Sequence, residues 1–234
     1  MATLTFYDSE NKMDALSVDC VLFGFDDKQV AVLLIKRLIE SELGVWALPG
    51  GYIKINEHLD NAPRRILLEM ANINQVNLEQ IGAYGHLDRF PPERTITIAY
   101  RALVNPANYE LYSIKDEALE AKWFPLKEKP KLPYDHDLIL SDALTQLRKK
   151  IRHEPIGLNL LPEKFSLRQV QNLYEGILDV KFDNRNFRKK LLSMGYFDRL
   201  EEKEQNVAHR KAFLYRFNYE AYQELIKKGI NFDL

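Results

Sequence analysis

The chain has 234 residues, 46% of them hydrophobic and 29% charged, with a net charge of −1 and a single cysteine. That is the composition of an ordinary globular protein, long enough for one large domain or two modest ones. It excludes a polycation, an intramolecular disulfide and a four-cysteine zinc site. With no signal-peptide pattern and no apolar run near about 18 residues, the expected location is the cytoplasm.

In chain order, Ser17–Phe25 and Gln29–Arg37 are β-rich runs joined through Asp26-Asp27-Lys28, which predicts a hairpin. Cys20 lies in an apolar run and reads as a small buried hydrophobe. Asp19 interrupts that run, so it lies at a strand end or faces a polar pocket. Trp46-Ala47-Leu48 leads into Pro49-Gly50-Gly51, a place for close backbone approach. Asp60 is the expected cap of a helix running to about Ala71, with Pro63 in its first turn. Strands are predicted at Gln80–Gly85, Thr95–Val104 and Ala121–Pro125. A helix over Asp137–Arg152 follows from the spacing of Leu140, Ala143, Leu144 and Leu147.

Pro155 and Gly157 then break the pattern, which predicts a domain of residues 1–152 followed by one of residues 153–234. Residues 1–150 carry 18 Lys and Arg against 22 Asp and Glu; residues 151–234 carry 15 against 12, and 10 against 5 within 181–218. This suits a basic module attached to an acidic one. Ser166 followed three residues later by Gln169 is a capping box, opening a helix with Leu167, Val170, Leu173, Tyr174 and Ile177 on one face. Asp183 can cap a second helix, and Tyr196–Leu200 and Ala212–Phe217 read as strands around a charged loop. Helix, turn, helix, strand, loop, strand is the order of a winged helix-turn-helix.

Residues 51–57 (GYIKINE), seven intervening residues, and 65–73 (RILLEMANI) resemble the Nudix box, G-x5-E-x7-R-E-U-x-E-E-x-G-U with U aliphatic. Gly51, Glu57, Arg65 and Glu69 match. Ile66 and Met70 stand where the box has metal-binding glutamates, and Asn72 where it has glycine. Carboxylates three and four residues apart share a helix face and together hold a divalent cation, which offsets diphosphate charge and helps make the attacking hydroxide. With two of three replaced by hydrocarbon, no catalytic residue, metal ligand or cofactor is expected. Glu69 is expected to pair with Arg65, unless a loop carboxylate such as Glu93 or Glu117 restores a metal site. What remains is a candidate effector cleft, assigned to Asp19, Arg37, Gly51, Glu57, Asp88, Arg89 and Tyr100. Tyr100 and Arg101 are not expected to face the core together, and such a pair suits a ligand.

In residues 183–192 (DNRNFRKKLL), Phe187, Leu191 and Met194 share an inward face, while Arg185 and Lys189 point nearly opposite. Arg and Asn can make bidentate contacts with guanine and adenine edges, and lysines reach phosphates. The candidate DNA-contacting set is Ser166, Arg168, Gln169, Asn184, Arg185, Asn186, Arg188, Lys189 and Lys190, with His209, Arg210 and Lys211 in the wing. Residues 154–162, 165–175 and 183–191 are similar to the C-terminal domain of the Nudix-related (NrtR-type) transcriptional regulators. The fold class is therefore expected to be an α/β Nudix-like mixed-sheet sandwich followed by a winged helix-turn-helix. The degraded box looks closest to the branch holding the arabinose-responsive regulator of Bacteroides. The resemblance implies a homodimer on palindromic operator DNA and an effector, either a pentose sugar or ADP-ribose. The damaged box favours the pentose. Two other readings stand beside it: a working Nudix hydrolase of ADP-ribose or a related nucleoside diphosphate, and a protein-interaction adaptor.

Overall fold

The structure is a computed structural model that describes residues 15–25, 29–37, 44–113, 118–205 and 211–228. Its first half is a seven-stranded mixed sheet built from β1 (Ala15–Phe25), β2 (Val30–Arg37), β3 (Trp46–Ala47), β4 (Gly50–Tyr52), β5 (Glu79–Tyr84), β6 (Thr95–Val104) and β7 (Ala118–Pro125). The order is β3-β2-β1-β6-β5, with β4 added to β1 and β7 to β2. β1 and β6 run parallel, Cys20 opposite Tyr100, and the other pairs are antiparallel. β1 and β2 pair Phe25 with Val30, as a hairpin requires, although residues 26–28 of the connection lie outside the described part.

Helices cover both faces, which is why β1 is almost continuously apolar. The period of two sorts its residues. Val18, Cys20 and Leu22 join Ile66, Leu67 and Met70 of α1 (Ala62–Ala71) on one side. Val21, Phe23 and Phe25 join Ile139, Leu140, Ala143 and Leu147 of α2 (His136–His153) on the other. Cys20 is fully buried, and burial pushes its thiol well above the ordinary range. The cap of α1 is a correction: Asn61 holds the N-cap position without a side-chain bond, and the Asp60 carboxylate instead accepts the Tyr100 hydroxyl at 3.1 Å. Pro63 sits in the first turn, as expected.

After α2 the chain turns at Gly157 (φ +89°), whose added Cβ would lie 3.2 Å from Leu103 and 3.4 Å from Leu173. Then follow α3 (Leu167–Leu178), α4 (Asn184–Ser193), β8 (Phe197–Lys203), β9 (Phe213–Phe217) and α5 (Tyr219–Lys227). The capping box is present in full, the Gln169 side chain accepting from the Ser166 N–H at 2.9 Å. Asp183 caps α4 by accepting from the Asn186 N–H at 2.9 Å. β8 and β9 pair antiparallel, and Phe165 adds a backbone bridge to Tyr215, completing a winged helix. The first strand runs three residues past the expected end, because Arg199 and Lys203 stack over Phe213 at 3.7 and 4.7 Å.

α5 has no counterpart in the sequence reading. Asn218 caps it by accepting from the Ala221 N–H, and Ala221, Tyr222 and Leu225 pack onto the core. That core is continuous from Val21 in β1 to Tyr196 beside β8. α2 lies against α3, and the Arg148 Nε donates to the Ile177 carbonyl at 2.8 Å. Asn105 donates to the Leu160 carbonyl, and Lys127 pairs with Asp179.

Candidate functional site

The box-derived site is a hydrocarbon surface. Ile66 and Met70, 1% and 7% exposed, lie in a cluster with Val18, Ile35, Ala62 and Tyr100. Gly51 allows this packing, since a Cβ there would stand 3.3 Å from the end of Ile66. Asn72 adopts the left-handed conformation (φ 53°) of a helix-ending glycine, and its N–H reaches the carbonyls of Leu67 and Leu68. Asparagine tolerates that geometry better than most side chains.

The two surviving box carboxylates are spoken for. Arg65 holds Glu57 bidentately, Nε to Oε1 at 2.7 Å and Nη2 to Oε2 at 2.8 Å, and reaches Glu69 at 3.2 Å and the Tyr52 carbonyl at 2.9 Å. The expected pairing of Glu69 with Arg65 is thus present. These hydrogen bonds from Arg65 pull the Glu57 carboxyl down to about 2. Two acids sharing one guanidinium, flanked by Ile66 and Met70, do not make the multi-oxygen shell that Mg²⁺ or Mn²⁺ requires. The residues present do not fit the family's metal. Glu93, a possible substitute, accepts the Tyr52 hydroxyl at 3.0 Å, and Glu117 lies outside the described residues.

A cavity of about 270 Å³ opens on the other face of β1, lined by Ser17, Asp19, Arg37, Gly51, Arg89 and His136 together with the rings of Tyr52, Phe90 and Tyr134. Asp19 is therefore mid-strand and faces a pocket. It is 5% exposed, accepts from Arg89 Nη2 at 3.0 Å and stands 3.6 Å from His136 Nε2. Gly50 makes room for it, since a Cβ there would fall 2.2 Å from Asp19 Oδ1. Arg89 is also clamped by both oxygens of Asp135 at 2.9 Å. The His136 Nδ1 accepts the Leu48 N–H at 3.2 Å, leaving its ring proton on Nε2 towards Asp19. Burial lowers its pKa, opposed by the charges of Asp19 and Asp135.

Four of the seven candidate effector residues, Asp19, Arg37, Gly51 and Arg89, thus meet in this cavity. Asp88 is exposed and lines an adjoining outer cleft with Arg89 and Tyr134. Two others lie away from this cavity. Glu57 is held by Arg65 away from the cavity, and Tyr100 points to the opposite face of the sheet, its hydroxyl pushed up to about 12 by burial and by Asp60. Tyr100 and Arg101 are in fact both buried, because β6 is covered on both faces; Arg101 reaches Glu79 at 3.0 Å. His136 and Tyr134 were not foreseen, since nothing local in the sequence says that the start of α2 folds over Asp19.

In the second half, Arg168, Asn184, Arg185, Asn186, Arg188, Lys189 and Lys190 are exposed, while Phe187 and Leu191 are buried. The Asn184 side-chain oxygen Oδ1 accepts from the Gln171 side-chain amide at 2.7 Å. Ser166 is 0% exposed with its hydroxyl turned to the Gln169 N–H, so its expected DNA contact gives way to a capping role shared with the half-buried Gln169. Lys211 is exposed; His209 and Arg210 lie outside the described residues.

Residues 13–143 match the NUDIX domain family and residues 157–217 the NrtR DNA-binding winged helix domain. The ADPR responsive transcriptional repressor NtrR of Acinetobacter baylyi is 32% identical over 213 residues, spanning 88% of this chain and 83% of the relative. The chain belongs to the NrtR-type family of regulators.

Among solved NrtR-type structures, that of Shewanella oneidensis NrtR complexed with a 27mer DNA is similar at a TM-score of 0.71 and 26% identity, covering 89% of this chain and 95% of that one. The NUDIX domain of the same protein complexed with ADP ribose is 31% identical, with a TM-score of 0.54, covering 62% and 96%. The arabinose-responsive branch is not shown; the Acinetobacter baylyi relative is ADPR responsive, and the Shewanella oneidensis NUDIX domain is complexed with ADP ribose. Among the described residues no helix is long and apolar enough to cross a membrane, and no group of three or more His, Cys, Asp or Glu is placed to hold a metal.

Proposed function

We propose that this NrtR-type chain is a transcriptional repressor that binds operator DNA through α4 and the wing, and senses ADP-ribose without hydrolysing it. One observation carries the reading. A winged helix with an exposed basic helix is joined to a Nudix box in which Ile66 and Met70 replace metal ligands and Arg65 occupies the remaining pair. Arg185, Arg188, Asn186 and Lys189 read or grip the duplex, with Arg168, Lys190 and Lys211 on phosphates. The protein acts as a homodimer on a palindromic site, in the cytoplasm. ADP-ribose is the leading effector because relatives of this architecture respond to or bind it.

A free pentose is the second reading, favoured by the cavity itself. At about 270 Å³, with buried Asp19, Arg89 and His136 around it, the cavity suits a small polyol. The two effectors separate by thermal shift, since a ligand at 100 times its Kd stabilises the folded state by about 2.7 kcal/mol.

The DNA arm is tested by fluorescence anisotropy on duplexes selected by the chain from a random pool. Arg185→Ala with Arg188→Ala is expected to weaken binding by roughly 100-fold, as two lost base contacts would. Wild-type affinity in that double variant, or Mg²⁺-dependent release of AMP from ADP-ribose that disappears in Glu69→Gln, would sink the reading.

A further inference from the structure

We propose that α2 is the lever that couples the cavity to the DNA-binding helices, with Arg148 as its positioning residue. The inference rests on the reading above that the winged helix is the DNA site and ADP-ribose the effector, and it takes the Asp19 cavity as part of the site that ADP-ribose contacts. What it adds is the physical connection between them.

The same helix serves both places. Its first residue, His136, lines the cavity beside Asp19, and the residue before it, Asp135, grips Arg89. Any ligand that hydrogen-bonds Asp19, Arg89 or His136 therefore acts on the first turn of α2. Eighteen residues make a rod of roughly 27 Å. Its last turns belong to the other half: Leu147 and Ile151 join the cluster of Leu173, Tyr174 and Ile177, and Arg148 donates to the Ile177 carbonyl at 2.8 Å. That carbonyl is in the final turn of α3, where backbone acceptors lack helical partners. The guanidinium also lies close enough to lower the pKa of Asp179, after the larger effect of Lys127. Arg148 thus holds the end of α3, the helix that supports α4.

Clefts flank the joint on both sides. A space of about 580 Å³ borders Leu147, Gly157 and Tyr222 on one flank of α2, and one of about 720 Å³ borders Leu144, Arg148 and Gly176 on the other. These clefts open to solvent, while the α2–α3 contact between them is closely packed, with Leu147, Ile151, Leu173, Tyr174 and Ile177 buried, so a shift of the rod is passed on to α3. Gly157, in the left-handed region between α2 and α3, is the natural pivot.

The test uses the full chain, ADP-ribose as probe and a duplex selected by the wild-type protein. Coupling free energies usually change affinity by about 5- to 150-fold, reciprocally. In the wild type, saturating ADP-ribose should change duplex affinity within that range. In Arg148→Met the change should fall below about 2-fold, while affinity for the duplex alone and for ADP-ribose alone each stays within about 3-fold; Arg148→Lys should recover part of the coupling. A purely structural role would lower duplex affinity or stability and leave the ratio intact, which would overturn the lever. Hydrogen exchange on the wild type does not depend on the variants folding. ADP-ribose should alter exchange at the Val180 amide, which donates to the Glu175 carbonyl at the end of α3. Protection confined to the cavity, together with a changed duplex affinity, overturns the lever alone. Absence of ADP-ribose binding or of duplex binding in the wild type overturns the functional reading, and the lever with it.

Discussion

Arg65 shows how a few side chains decide what a fold can do. In the Nudix box it would share its surroundings with metal-binding acids; here it neutralises Glu57 and Glu69 and reaches the Tyr52 carbonyl. Arg65→Ala leaves two half-buried carboxylates without a cation, and hydrogen bonds to charged groups contribute about 1.5–3 kcal/mol each. The variant is expected to lose about 2 kcal/mol, or roughly 5 °C in Tm for a chain of this size, by calorimetry. Because the Glu57 carboxyl sits at about 2 in the fold, its stabilisation is complete above pH 4.5 and fades as pH falls towards 2. Arg65→Ala should flatten that acid limb, and an unchanged limb would show that the pair is not what protects it. His136 acts in a higher window. Burial depresses its pKa, so the fold takes up a proton less readily than the unfolded chain. Stability is therefore full above about pH 6.5 and declines below it. Denaturation of His136→Gln between pH 5 and 8 should show that slope removed.

At the scale of elements, the two caps of the DNA-binding half are individually weighable. Ser166→Ala removes one arm of a capping box and should cost about 1 kcal/mol of stability by urea denaturation. Since Ser166 is buried, duplex affinity measured well below the midpoint should be unchanged; a large loss of affinity would return Ser166 to the DNA-contacting set. Lys189 on the exposed face of α4 makes the opposite prediction. Lys189→Ala should leave stability alone, weaken all duplexes similarly and reduce the slope of log affinity against log salt by about 1. Legibility divides in the same way among these elements. The spacing of Phe187 and Leu191 and the pairs Ser166/Gln169 and Asp183/Asn186 are local signals, and local signals survive into the fold. Asp60 obeyed a different partner: the Tyr100 hydroxyl, 40 residues away, took the carboxylate that helix-capping rules assign to the backbone. α5 carried a readable pattern in Asn218, Tyr222 and Leu225, but its short length lets the aromatic strand before it dominate the reading.

For the whole molecule the proposed coupling puts its pivot at the joint. Gly157→Ala places a Cβ at φ +89°, 3.2 Å from Leu103, so it should destabilise the chain by at least about 1 kcal/mol and alter the response of duplex binding to ADP-ribose. Joint measurement of Tm and effector response checks this, and a neutral outcome in both would remove Gly157 as a pivot. Chain-local information by itself determined the alternation of strands and helices, the break after α2, the loss of the box acids and the basic face of α4. Each depends on residues within a few positions of one another, where periodicity and side-chain chemistry act directly. Only the tertiary structure decided that Asp19 meets Arg89 and His136, that Glu57 and Tyr100 face elsewhere, and that one helix touches both the cavity and α3. Those arrangements depend on which strand lies beside which and which face each helix covers, and burial across a sheet is set by partners distant in the sequence rather than by neighbours along the chain.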